Sequence, residues 1–93
     1  MFAFEVSVNG KKLFVAGAPP GGVLSSMLSW TCRHPERLQF HVGGLPGDGS
    51  QDHIEWKTPQ IGVGDEIVIR ITDSDATDEP HRRYQPGRSH EES

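Results

Sequence analysis

The side chains with chemical reach are few and scattered: His41 and His53, the single cysteine Cys32, the serines Ser25, Ser26 and Ser29, and the carboxylates Asp48 and Asp52 inside a glycine-rich stretch. Alternation puts both histidines on the outward faces of strands, where pairing of those strands would bring them together. A protein-bound metal takes three or four convergent ligands. No third partner stands at a suitable spacing, so the pair reads as ordinary surface and no metal site is expected. Cys32 falls near the C-terminal end of an expected helix, away from the helix N-terminus that lowers a thiol's pKa. It reads as a small buried or half-buried side chain. The three serines have no nucleophile motif and no evident base, so hydrolytic chemistry has nothing to stand on. Residues 43–50 lack the Lys-Ser/Thr and following helix of a phosphate cradle. Asp48 and Asp52 lack the third acid and the bidentate glutamate of a calcium loop. No catalytic residue and no cofactor is expected.

Charge and length narrow the field further. The chain has 93 residues with 13 acids and 9 bases, a net charge of -4. A chain this short supports one small core. The bases of the body, Lys11, Lys12, Arg33, Arg37, Lys57 and Arg70, are spread over different elements. Phosphate-backbone binding needs them clustered, so a nucleic-acid partner is not expected. One cysteine excludes an intrachain disulfide framework and fits a reducing compartment. The opening Met1-Phe2-Ala3-Phe4-Glu5 has neither a basic n-region nor an unbroken apolar h-region. No apolar run approaches the roughly 20 residues of a membrane span. The expectation is a soluble cytoplasmic protein.

The elements that must carry these residues follow from periodicity. Phe2, Phe4, Val6 and Val8 alternate with polar or small residues, Asn9-Gly10 supplies a two-residue hairpin turn, and residues 11–16 run back. Closing the hairpin there pairs Val8 with Lys11, Val6 with Leu13 and Phe4 with Val15, which leaves Phe14 facing outward. Val23, Leu24, Met27, Leu28 and Thr31 recur at helical spacing, so a helix is expected over 23–33, stopped by Pro35. Leu38, Phe40 and Val42 mark a strand, 43–50 an exposed mobile loop, and 53–56 a short edge strand with Ile54 and Trp56 inward. Ile67, Ile69 and Ile71 define the last strand, with Val68 and Arg70 on its other face. Residues 73–93, acidic and aperiodic, read as a disordered tail after a single domain over 1–72.

One helix with one apolar stripe covers one sheet face, which gives an α+β, ββαβ(β)β mixed sheet with the helix packed across it. The order of elements, the Asn9-Gly10 hairpin and the late Gly64-Asp65-Glu66-Ile67 turn resemble the β-grasp fold of ubiquitin-like proteins and of the sulfur carriers of thiamine and molybdopterin synthesis. Val6 to Lys11 and Val63 to Ile67 are also similar to segments of small bacterial proteins with a VSVNGK-like hairpin and a VGDEI-like strand. Ubiquitin-like modifiers and carriers act through an adenylated C-terminal glycine. The resemblance therefore implies a processed tail, for which Gly87 is the nearest glycine.

The leading expectation is different. Phe14 and Val68 are apolar where alternation predicts solvent, Arg70 neighbours Val68, and Trp30 lies off the main helical stripe. An exposed apolar patch marks a docking or dimer surface. These residues, with the Gly-rich loop, read as a non-catalytic surface that binds a protein partner or a second copy of the chain. An acidic chain also suits an inhibitor of a basic protein.

Overall fold

The computed structural model describes residues 1–85. Its elements in chain order are β1 (Phe2–Val8), β2 (Lys11–Gly17), β3 (Val23–Thr31), β4 (Arg37–Leu45), β5 (His53–Trp56), β6 (Ile67–Asp73) and β7 (Arg82–Tyr84). They form two antiparallel sheets, β2-β1-β6 and β3-β4-β5-β7. The core between them is Val6, Phe14, Ala16, Phe40, Val42, Ile54 and Trp56, with Phe4, Leu13, Leu24, Ile61 and Ile67 packed around it. The Cα envelope measures 38 × 38 × 16 Å. That thickness holds a single layer of side chains, and the largest fully buried ones are only Val6 and Val42.

Residues 23–33 are not helical, and no helix occurs among the described residues. The α+β, β-grasp-like arrangement is thereby overturned in favour of two stacked sheets. The reason lies in β4. Its Arg37–Leu45 backbone offers nine ladder positions on one side, and β3 takes all of them, from Val23 opposite Leu45 to Thr31 opposite Arg37. A helix would have left that row of N–H and C=O groups unpaired. Locally, Ser25, Ser26, Ser29, Trp30 and Thr31 are all middling helix formers. The i, i+3, i+4 spacing that suggests a helix arises because apolar residues sit on both faces of the strand.

The opening hairpin forms at Asn9-Gly10, both with positive φ (53° and 80°), as a type I′ turn requires. Its register differs from simple alternation. Val8 pairs with Lys11 and Ser7 with Lys12, but a bulge then sets Val6 opposite Phe14 and Phe4 opposite Ala16. The bulge offsets β2 by one residue, so Phe14 joins the core instead of the outer face. Burying a phenylalanine ring contributes roughly 2 to 3 kcal/mol, which favours the irregular register. Val15 consequently turns to the other face, where it is nevertheless buried.

Bonded to the Val15 backbone is the segment expected to be a tail. After β6 the chain crosses the end of β1, with Ser74 donating to the Met1 carbonyl at 2.9 Å, and reaches the edge of β2. There the Asp78 N–H donates to the Val15 carbonyl (2.8 Å), and the Asp78 carboxylate accepts the Val15 N–H (2.8 Å). The Asp78 carbonyl accepts the Trp56 indole N–H (2.9 Å). One residue thus ties the edge of one sheet to the core tryptophan of the other. The chain then adds β7 to β5, pairing His53 with Tyr84 and Glu55 with Arg82. Residues 73–85 are a strap across the sandwich, which corrects the tail expected from Asp73 onward. Its composition is polar because its bonds are made by backbone and carboxylate groups, which leave no hydrophobic period to read.

Candidate interaction site

Two turns that the sequence marks separately are joined in space. The Asn9 side-chain amide donates to Asp65 Oδ1 (3.0 Å) and its carbonyl oxygen accepts the Glu66 N–H (2.9 Å), while the Asn9 N–H donates to the Glu66 carbonyl (2.8 Å). Asp65 also accepts the Gly62 N–H (2.8 Å). These bonds, Asn9 first and Gly62 second, hold the Asp65 carboxyl below the usual aspartate range. The knot fixes where β6 begins and aligns it with β1 from Val8 opposite Ile67 to Phe2 opposite Asp73.

The outer face of the larger sheet carries the main polar cluster. His41 Nε2 lies 3.1 Å from Glu55 Oε1, and Arg82 stacks over the Tyr84 ring at 4.4 Å, with the His53 ring tilted by 50° to it at 5.6 Å between centroids. Burial pushes the Glu55 carboxyl up, but hydrogen bonds from His41 and Tyr84 outweigh it and the net direction is down. Burial and the bond to Glu55 raise the Tyr84 phenol. Gly43 makes the His41 contact possible. It stands opposite Glu55, and a Cβ there would lie 2.6 Å from the Ile54 carbonyl and 3.3 Å from the His41 ring. His41 and His53 therefore share one face, with Glu55 bonded to His41 and the Tyr84 ring beside His53. No cluster of three or more metal-type ligands exists among the described residues.

The Gly-rich stretch is shorter than expected, because Gly43, Gly44 and Leu45 belong to β4. The remaining loop is held by β7. Arg83 bonds to Asp52 through Nε and to Asp48 Oδ2 (2.7 Å) and the Ser50 hydroxyl (3.1 Å) through Nη2. Hydrogen bonds from Ser50 and then Arg83 hold Asp48 far below the usual carboxylate range, and Arg83 lowers Asp52 likewise. Asp48 and Asp52 are thus occupied by an arginine within the chain.

The four residues expected to bind a partner do not converge. Phe14 is in the core, a correction that follows from the bulge in β2. Val68 and Arg70 do share a face of β6, opposite Ser7 and Glu5. Trp30 lies on β3, in the other sheet. Gly87 lies outside the described residues. Cys32 is exposed rather than half-buried.

A larger apolar surface was hidden in the expected core. Phe2, Ile69 and Ile71 share the inward face of their sheet with Phe4 and Val6. Even so, Phe2 is 76% and Ile71 77% exposed. The same happens on β3, where Leu28 and Trp30 point to the side of Phe40 and Leu38 yet are more than half exposed. Beyond Ile67 of β6 and Leu24 of β3, which pack around the core, the inward residues Ile71, Leu28 and Trp30 are left exposed. Alternation identifies the inward residues of β6, but only the extent of the opposite sheet tells which of them are covered.

In comparison with known proteins, no family model, no curated protein and no solved structure matches the chain. No helix among the described residues is long and apolar enough to cross a membrane.

Proposed function

We propose that the chain is a non-catalytic protein-interaction module that takes an extended segment of a partner protein along β6. The observation that carries this reading is the exposure of Ile71 and Phe2 on the face that points toward the other sheet. Among the described residues β6 has one neighbour, β1, and its second edge there offers backbone donors and acceptors. An incoming strand that pairs with this edge gains main-chain hydrogen bonds and lays alternate apolar side chains beside Ile69 and Ile71. Val68 and Arg70 sit on the opposite face of β6, where Arg70 favours an acidic residue in the partner. The Gly-rich loop has no part in this revised surface, since Arg83 holds it against β7. The modifier alternative rested on a resemblance in element order, which lacks its helix among the described residues, and on Gly87, which lies outside them.

The test is a photo-reactive phenylalanine analogue placed at Val68 in cells of the chain's own host. The reading expects one discrete protein adduct from position 68, lost when Ile71→Asp is added and absent when the analogue sits at Lys11 in the hairpin turn. No adduct at 68, or the same adducts from both positions, would overturn it.

A further inference from the structure

We infer that Asn9 is a site of self-modification: when the hairpin turn opens, the Gly10 backbone nitrogen displaces the Asn9 side-chain amide as ammonia, and the carboxylate left behind cannot rejoin Asp65, so the knot between the two turns is lost one way. Asn9 is the only asparagine of the chain, and a glycine follows it. Glycine leaves the attacking nitrogen unobstructed. Even a Cβ at Gly10 would meet nothing within 4 Å, so no neighbour shields the peptide. Both residues are exposed, and water, the only co-reactant, reaches them freely.

The step balances with water alone. The Gly10 nitrogen gives up its proton and bonds to Asn9 Cγ, the Cγ–Nδ2 bond breaks, and Nδ2 leaves with that proton as ammonia. Water then opens the five-membered imide at either of its carbonyls, which gives an aspartate or its isoaspartate isomer. The ring holds Cβ in the plane of the Asn9 carbonyl and the Gly10 nitrogen, and this takes ψ at Asn9 out of the range of a type I′ turn. The folded turn therefore protects the amide. So do the bonds that hold it, from Nδ2 to Asp65 Oδ1 (3.0 Å) and from the Glu66 N–H to the Asn9 side-chain oxygen (2.9 Å). Once the amide is gone, its N–H donor is gone with it, and a second carboxylate stands where Asp65 accepted a bond. Like charges at that distance disfavour each other. The alignment of Val8 with Ile67 at the start of β6 then loses its anchor.

This inference stands apart from the partner reading of β6, because every readout involves the chain alone. Kept at mildly alkaline pH, the full chain should gain about 1 Da in the tryptic peptide that ends at Lys11. No glutamine falls in that peptide, so the gain reports Asn9 alone. The gain should be at least about tenfold faster in urea than in the folded state, since only the open turn reacts. Asn9→Asp, which sets the product's charge in place, should lower the urea midpoint. It should also speed hydrogen exchange at the Val68 amide, opposite Ser7, more than at Thr72, opposite Ala3. Adding Asp65→Asn to Asn9→Asp puts an amide donor opposite a carboxylate again and should recover both. No gain of mass in urea, equal rates in the folded and unfolded chain, an Asn9→Asp variant as stable as the original, or a double variant that recovers nothing would overturn the proposal.

Discussion

The β2 edge and the β3 edge are each the outermost strand of a sheet, and the molecule treats them in opposite ways. Along β2, the strap from residues 74 to 78 covers the edge, and Asp78 satisfies both the N–H and the carbonyl of Val15. At the far end of the larger sheet, β7 is only three residues long and brings Arg82 and Arg83. β3 carries no charge, and among the described residues no strand pairs with its outer edge. The closed side is where the core is densest, with Phe14, Ala16, Ile54 and Trp56, and the open side is where large apolar side chains meet water. A small sandwich with only one thin layer of core can evidently spare a strand on each sheet from packing. The difference separates an edge tied by internal hydrogen bonds from one that leaves large apolar side chains exposed.

Substitutions that exchange the character of the two sides test this contrast most directly. Phe14→Asp buries a carboxylate in the closed core and should unfold the chain, because the loss exceeds about 4 kcal/mol against a total stability of roughly 5 to 10 kcal/mol. Loss of the far-UV strand signal at 25 °C checks it. Asp78→Ala removes the acceptor of the Val15 N–H and should cost about 1 to 3 kcal/mol, read as a lower urea midpoint. Gly43→Ala should cost a similar amount, about 1 to 3 kcal/mol, since its Cβ would press on the Ile54 carbonyl. Nuclear magnetic resonance should also show the His41 ring displaced from Glu55.

Acid should act on the clustered loop and the two-turn knot before it reaches the apolar edges. Asp48, Asp52 and Asp65 all titrate below their ordinary range in the folded chain. Their contribution to stability is therefore complete above about pH 4 and is lost as the pH falls through their depressed values. The urea midpoint should drop between about pH 4 and pH 2. Arg83→Ala should flatten that drop by removing the partner of Asp48 and Asp52. Val68→Asp, on the open side, should change stability by no more than about 0.5 kcal/mol. A folded Phe14→Asp variant beside an unfolded Val68→Asp variant would reverse the contrast altogether.

Much of the architecture was legible residue by residue. The β1–β2 turn, the inward Ile54 and Trp56 of β5 and the alternation of β6 all follow from period-two patterns and turn residues. These are local properties, because a strand's alternation and a type I′ turn depend on neighbouring residues only. Two features of the candidate surfaces were not legible. Val23–Thr31 has apolar residues at a spacing that either a helix or a two-sided strand satisfies, and the unpaired side of β4 decided for the strand. Phe14 faces out by counting and in by structure, because one bulge at the start of β2 gains a ring for the core.

The sequence by itself determined where the chain can turn and which residues alternate. The tertiary structure alone decided which inward faces are covered. Coverage depends on how far the opposite sheet extends, and no residue on β6 or β3 encodes that distance. It also decided the role of Asp78, whose three hydrogen bonds go to Val15 and Trp56, 63 and 22 positions away along the chain. Bonds of that kind leave no periodic trace, since a polar side chain held by distant backbone looks in sequence like one held by water.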